Sequence, residues 1–242
     1  MKKTLLLATF IVLASCKNEV KTENYPEELS KVFEKHGGMS VWQKMKLLSF
    51  NKGEEVHTAD LHSRKTVINA PNYSLGFNGK ETWLSQEDST SFKGNKDFYY
   101  NLYFYFYAMP FVLADDGITY EKVAAITFEG VNYPGYKIAY ASDKGTSPED
   151  NYMVYYHPET YQMEWLAYTV TFGSKKANDN YHLIKYHLWE TVEGLVLPKE
   201  IIWYDKDKNG MPTAPAKPAT VFTLPLVSQA SLGASFFEKP VK

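Results

Sequence analysis

Two periodicities divide the chain. Near its start, Leu29, Val32 and Phe33 recur at helical spacing behind Tyr25-Pro26-Glu27-Glu28, a proline and acids suited to a first turn, and Gly37-Gly38 ends the run. A second helix is expected from Ser40, which can cap it, through Val41, Trp42 and Met45. Beyond Leu48 the period becomes two. Segments 63–70, 72–77 and 81–85 are short, rich in β-formers and separated by Pro71-Asn72 and Asn78-Gly79. Longer ones follow at 118–128, 133–141, 152–157, 163–172, 181–191 and 197–204, punctuated by Glu129-Gly130, Pro158-Glu159-Thr160, Gly173-Ser174 and Glu193-Gly194. Strands at this spacing, without intervening helices, predict one large antiparallel sheet, strongly curved or closed into a barrel. Pro212, Pro215 and Pro218 predict an extended crossing before a last strand at 220–226. There is no internal repeat and no interior linker.

One stretch fits both periods. From Phe98 to Phe111 nearly every residue is aromatic or apolar. As a strand it alternates cleanly, with Phe98, Tyr100, Leu102, Phe104 and Phe106 on one side, and β propensity favours this reading. As a helix it places Phe98, Leu102, Tyr105, Phe106 and Met109 on one stripe, with rings facing away as well, so it must be covered on nearly every side. Asn95 can cap that helix, Asp97 suits its first turn and Pro110 can stop it. At 96–109 it would reach roughly 20 Å, short of the roughly 30 Å of a bilayer core.

The membrane question moves to the N-terminus. Lys2 and Lys3 precede an apolar stretch at 4–14, then Leu13-Ala14-Ser15-Cys16, which reads as a secretory signal over residues 1–15. Cys16 is the single cysteine, placed where the signal is cut, and Leu13-Ala14-Ser15-Cys16 resembles a bacterial lipobox, in which the cysteine is lipidated. Several acyl chains make a stable anchor where one does not. Residues 17–24 are polar and suit a flexible tether, leaving 25–242 as a single domain. That domain has no disulfide and no thiol nucleophile.

Charge narrows the partners. Without Lys2 and Lys3 the formal charge goes from −2 to −4, and of 26 basic residues only Arg64 is an arginine. Bidentate phosphate recognition favours arginine, so nucleic acid is not an expected partner.

Catalytic motifs are sparse. Gly-x-Ser-x-Gly, glycine-rich phosphate loops and His-Glu-x-x-His are absent, and no cofactor is implied. His182 and His187 would point to opposite faces of a strand, so one metal cannot use both. His157 precedes a hairpin proline and His36 lies at a helix end. Asp205-Lys206-Asp207-Lys208-Asn209-Gly210 matches the first half of a calcium loop, but the twelfth position is Ala216 and a polar turn explains the pattern. Asp115-Asp116-Gly117 reads as an element end. No catalytic or metal residue is assigned. Aromatics make up 16% of the chain, and Trp83, Trp165, Trp189 and Trp203 fall in expected strands. Such rings either line a pocket with a wet mouth or fill a β-rich core.

Phe33-Glu34-Lys35-His36-Gly37-Gly38 with Trp42, the strands that follow, Met109-Pro110-Phe111, Tyr155-Tyr156-His157-Pro158-Glu159-Thr160 and Gly194-Leu195-Val196-Leu197-Pro198 make the chain similar to the LolA/LolB-like family of lipoprotein carriers and its relatives of unknown function among Bacteroidota lipoproteins. The resemblance implies a mainly β (α+β) fold: an unclosed barrel whose concave face is covered by helices, the aromatic run among them, around a cavity for acyl chains. Carriers of that family latch the lid with an arginine; no motif transfers that role to Arg64. The expected protein is a lipid-anchored envelope lipoprotein, favoured at the outer membrane. It binds a hydrophobic ligand through Trp83, Tyr99, Tyr103, Phe106, Met109, Phe111, Trp165 and Tyr168, without catalysis. The alternatives are an envelope hydrolase using Asp115, Asp116, His157 and His182, or a structural or carbohydrate-contacting accessory protein with exposed tryptophans.

Overall fold

The computed structural model describes residues 25–140, 151–172 and 178–240. The signal, Cys16, the tether and Gly173 lie outside them. Helix α1 (Glu27–Lys35) buries Leu29, Val32 and Phe33. Its Glu28 accepts from Lys122 Nζ and Tyr136 Oη, both at 2.8 Å. Those two bonds hold its carboxyl near 2.

The chain turns at Gly37 and Gly38, both at positive φ. A Cβ on Gly37 would stand 2.1 Å from the Gly194 carbonyl oxygen, so only glycine lets the end of α1 lie against that backbone. Helix α2 (Met39–Trp42) is shorter than expected, and Gly38, not Ser40, stands at its cap. The chain must leave the helix there, because Lys46 already hydrogen-bonds Ser228 in the sheet.

The strands are β1 (Leu47–Lys52), β2 (Glu55–Asp60), β3 (Thr66–Ala70), β4 (Tyr73–Phe77), β5 (Thr82–Gln86), β6 (Ile118–Phe128), β7 (Val131–Tyr140), β8 (Tyr152–Tyr156), β9 (Met163–Tyr168), β10 (His182–Val192), β11 (Leu195–Lys206), β12 (Pro212–Pro215) and β13 (Thr220–Ser228). All pair antiparallel in one sheet ordered β5-β4-β3-β2-β1-β13-β11-β10-β9-β8-β7-β6, with β12 on the end of β11. The terminal strands β5 and β6 are not joined, so the sheet is open. At Glu129-Gly130 and Glu193-Gly194 both turn residues have positive φ, the geometry that suits the twist of a two-residue hairpin.

Two further elements depart from expectation. The proline-rich tail is not only a crossing, since β12 pairs Tyr204 with Pro215 and Lys206 with Pro212; a short flanking strand tolerates prolines that lack an N–H. The aromatic run is helical but broken, into α3 (Lys96–Tyr99), α4 (Leu102–Tyr107) and a 3-10 turn (Phe111–Ala114). Asn95 caps α3 by accepting from Asp97 N at 2.9 Å. The break at Tyr100 and Asn101 lets Tyr100 pack with Ile68 and Leu75, while Phe104, Phe106 and Tyr107 enter the main core. One continuous helix ringed with aromatics could not direct them to both. Among the described residues no helix is long and apolar enough to cross a membrane.

The curvature follows from the core. Leu48 and Phe50 of β1, Ile138 of β7, Leu166 of β9, Tyr186 of β10 and Phe222 of β13 share one cluster with α1, α2 and the aromatic segment. Strands far apart in the sheet meet there only if it wraps around the helices. The inner face is therefore plugged by the aromatic segment. The outer face carries a second cluster, with Trp165, Tyr155 and Leu183, and a third in which Phe237 covers Val67 and Trp83.

Candidate ligand-binding site

The plug is fastened mainly through its two ends. At the start, Tyr99 Oη donates to both oxygens of Glu55, at 2.9 Å each. The same carboxylate accepts from Tyr73 Oη and from His57 Nε2, and Lys52 Nζ pairs with it at 2.9 Å. Burial raises the Glu55 carboxyl, but bonds from His57, Tyr73 and Lys52 outweigh it and bring it to about 2. Desolvation and the adjacent carboxylate push the Tyr73 and Tyr99 hydroxyls well above their ordinary range, so both remain donors. Lys52 Nζ also lies 4.5 Å from the Tyr103 ring centroid. Beside this cluster is a cleft of about 390 Å³ lined by Lys52, Gly53, Glu55, Asn72, Tyr73 and Ser91.

At the other end, Arg64 Nη2 donates to Asp115 Oδ1 at 2.6 Å and lies over the Phe104 ring. Burial pushes the Asp115 carboxyl up and Arg64 pulls it back, leaving it raised. Between the ends, Tyr186 Oη donates to the Phe106 carbonyl at 2.9 Å, and Tyr120 Oη to that of Leu113 at 2.6 Å. The contacts across the middle are otherwise rings: Phe50 on Tyr107 at 4.1 Å, Trp42 stacked on Phe111 at 4.7 Å, and Phe106 edge-on to Tyr168 and Trp203.

The eight residues expected to line a pocket are distributed. Tyr103, Phe106, Met109, Phe111 and Tyr168 join the inner-face cluster, and Tyr99 lies at the start of the plug. Trp83 is on the outer face, donating from Nε1 to the Phe237 carbonyl, and Trp165 is fully buried in the outer cluster. Strand alternation separates Trp165 from Tyr168, which are three positions apart on β9. The Glu55 cluster was missed. Its signal was Glu55 and His57 two apart on a strand, hence on one face, beside Gly53.

The histidines have separate settings. His36 is fully buried; Nδ1 donates to the Val196 carbonyl at 2.9 Å and Nε2 accepts from Met163 N at 3.2 Å, which fixes the neutral tautomer. Burial lowers it from 6.5 to about 4, against the bond to Val196. Above 6.5 folded and unfolded chains are both neutral there; between 6.5 and 4 only the unfolded chain takes the proton. Stability is thus expected to fall by about 3 kcal/mol as pH drops through that window. Denaturant midpoints from pH 8 to 4 check this, and His36→Asn should lower the midpoint at pH 8 but flatten the profile. His157 Nδ1 accepts from the backbone of Glu159 and Thr160 in its hairpin. It lies the length of β9 from His182, and Asp115 is engaged by Arg64. The acids and histidines of the hydrolase alternative do not converge. Asp207 of the calcium-like stretch accepts from Asn209 N and Met211 N in the β11–β12 turn. Trp42, Trp83, Trp165 and Trp203 are buried and Trp189 is partly so, which leaves no flat tryptophan surface for a carbohydrate.

An open antiparallel sheet wrapped around an aromatic helical plug defines a half-barrel with an apolar inner face. The chain belongs to a family of unknown function, DUF6503, whose sequence model matches residues 10–209. No curated protein matches it. Among crystal structures it is similar to a LolA superfamily protein from Nitrosomonas europaea, at 8% identity over 86% of this chain and 96% of that one, with a TM-score of 0.41. It is also similar to a DUF1329 family protein from Desulfovibrio piger, at 9% identity over 88% and 98%, with a TM-score of 0.45.

Proposed function

We propose that the protein is an envelope lipoprotein, tethered through Cys16 and placed at the outer membrane, that holds a lipid or acyl chain against the inner face of its half-barrel without transforming it. The observation that carries this is the plug. The apolar surface of a half-open sheet is covered by α3, α4 and the 3-10 turn, fastened by Glu55 at the start and Arg64 at the end, with ring contacts along most of their length. Most of the free energy of these contacts is apolar burial, which has no direction, so an apolar chain can replace much of it while the end bonds stay formed. Tyr107 Oη and Trp189 Nε1 are buried in or against this cluster with no hydrogen-bond partner among the described residues, and such groups are ready to meet a ligand atom. The ligand residues are Tyr99, Tyr103, Phe106, Met109, Phe111 and Tyr168. Trp83 and Trp165 take structural roles on the outer face.

The test uses the purified protein with Cys16→Ser, which removes its own acyl chains as competitors. An apolar fluorophore such as N-phenyl-1-naphthylamine should brighten saturably at one site, and long-chain fatty acids should displace it. No saturable binding, with no co-purifying lipid, would contradict the proposal.

A further inference from the structure

At one end of the inner face, three adjacent strands present Tyr168, His182 and Trp203. Tyr168 and His182 are opposed in the β9–β10 pair, with ring centroids 5.4 Å apart, and Trp203 follows on β11. Trp203 Nε1 donates to Tyr168 Oη at 2.9 Å, so that oxygen acts as acceptor and its own hydrogen points elsewhere. Lys217, on the segment between β12 and β13, places Nζ 3.5 Å from the Trp203 ring centroid. Ala216 N bonds the Trp203 carbonyl at 2.8 Å and holds that segment in place. Phe106 of the plug closes the other side, 5.3 Å from Tyr168 and 5.8 Å from Trp203.

Three groups at this rim can donate: the Tyr168 hydroxyl, an imidazole N–H of His182 and the Lys217 ammonium. Among the described residues, no carboxylate forms an ion pair with Lys217 or His182. Burial, Lys206 and Lys217 together depress protonation of His182. A cation stacked on tryptophan beside two further groups that can donate, with no ion-pair partner among the described residues, is complementary to an anion.

We infer that this rim receives the anionic head of a single-chain amphiphile, a carboxylate or a phosphate, whose hydrocarbon tail runs along the aromatic inner face past Phe106. This rests on the inner face being the ligand site and adds the chemistry of the ligand's polar end. Lys217 supplies the charge, Tyr168 and His182 supply directed hydrogen bonds, and Trp203 holds both Lys217 and Tyr168 in place.

The experiment is competition against N-phenyl-1-naphthylamine on the Cys16→Ser protein at pH 8, with oleate, oleoyl lysophosphatidate and oleyl alcohol, each below its aggregation concentration. One of the two anions should compete at about tenfold lower concentration than the alcohol, as expected for one charge-assisted contact. Whichever anion is preferred identifies the head as carboxylate or phosphate. Lys217→Gln, at an exposed position, should abolish most of that preference and leave oleyl alcohol unchanged; Tyr168→Phe should reduce it less. Equal competition by all three, or a preference that survives both Lys217→Gln and His182→Gln, overturns the inference and leaves the inner-face reading standing. If no amphiphile displaces the probe, both fall.

Discussion

Glu55→Ala is expected to reduce the free energy of unfolding by about 3 kcal/mol, the low end of the range for removing one partner of a buried charge network, because this one borders an open cleft. The Glu55 side chain is 14% exposed and is the acceptor at which Lys52, His57, Tyr73 and Tyr99 converge. Without it, Lys52 loses its counter-ion and three donors lose their acceptor in a half-buried site that borders the cleft. Glu55→Gln keeps the volume and one acceptor oxygen, so it should lose less. Its carboxyl titrates near 2 instead of 4.5, so its contribution is present above 4.5 and is lost as pH falls toward 2. Urea midpoints for the two variants at pH 7 check the order, and a loss below about 1 kcal/mol for alanine would mean the network contributes little. Because Tyr99 connects Glu55 to α3, Glu55→Ala should also speed entry of the fluorescent probe.

Phe111→Ala is expected to destabilise by about 3–5 kcal/mol, for a different reason. Phe111 is fully buried, stacked on Trp42 with an interplanar angle of 8°, and edge-on to His36 at 6.5 Å. Deleting the ring removes its burial and leaves a void that α2 and the end of the plug, pinned by Gly37 and by Asp115, cannot close. Phe111→Leu keeps most of the volume and should cost under about 2 kcal/mol. Thermal or urea unfolding of both variants measures the difference. Equal, small losses would show that this end of the plug can repack.

The sheet was legible because its causes are local. Period-two segments bounded by Glu129-Gly130 and Glu193-Gly194 encode strands and hairpins within a dozen residues, and the structure places strands there. Strands β1 and β2 were not read, since Ser49, His57 and Thr58 interrupt the apolar pattern; His57 is buried by stacking on Phe50, a partner set by strand register. The aromatic run is helical, as the family resemblance and the signals at Asn95, Asp97 and Pro110 imply against its strand-like alternation, but its break at Tyr100 and Asn101 depends on two core clusters that exist only after folding. The same limit governs the site. Apolar and aromatic side chains marked Tyr103, Phe106 and Met109, but face assignment needs register, and so Trp165 was grouped with Tyr168 although the sheet separates them. Glu55, His57, Tyr73 and Tyr99 span three elements, and the pairing of Arg64 with Asp115 bridges 51 positions. No spacing rule reaches that far.

The central claim is that the apolar ligand lies on the inner face, under or beside the plug. Photolysis of the Cys16→Ser protein with a diazirine-bearing fatty acid, followed by mass spectrometry of its peptides, locates the chain directly. Adducts are expected on Tyr103, Phe106 and Met109 and across the sheet at Tyr168 or Trp203. Labelling confined to the outer face, at the cleft of about 320 Å³ between Val123, Tyr155, Leu183 and Met211, or no labelling above that of the unfolded chain, would contradict it.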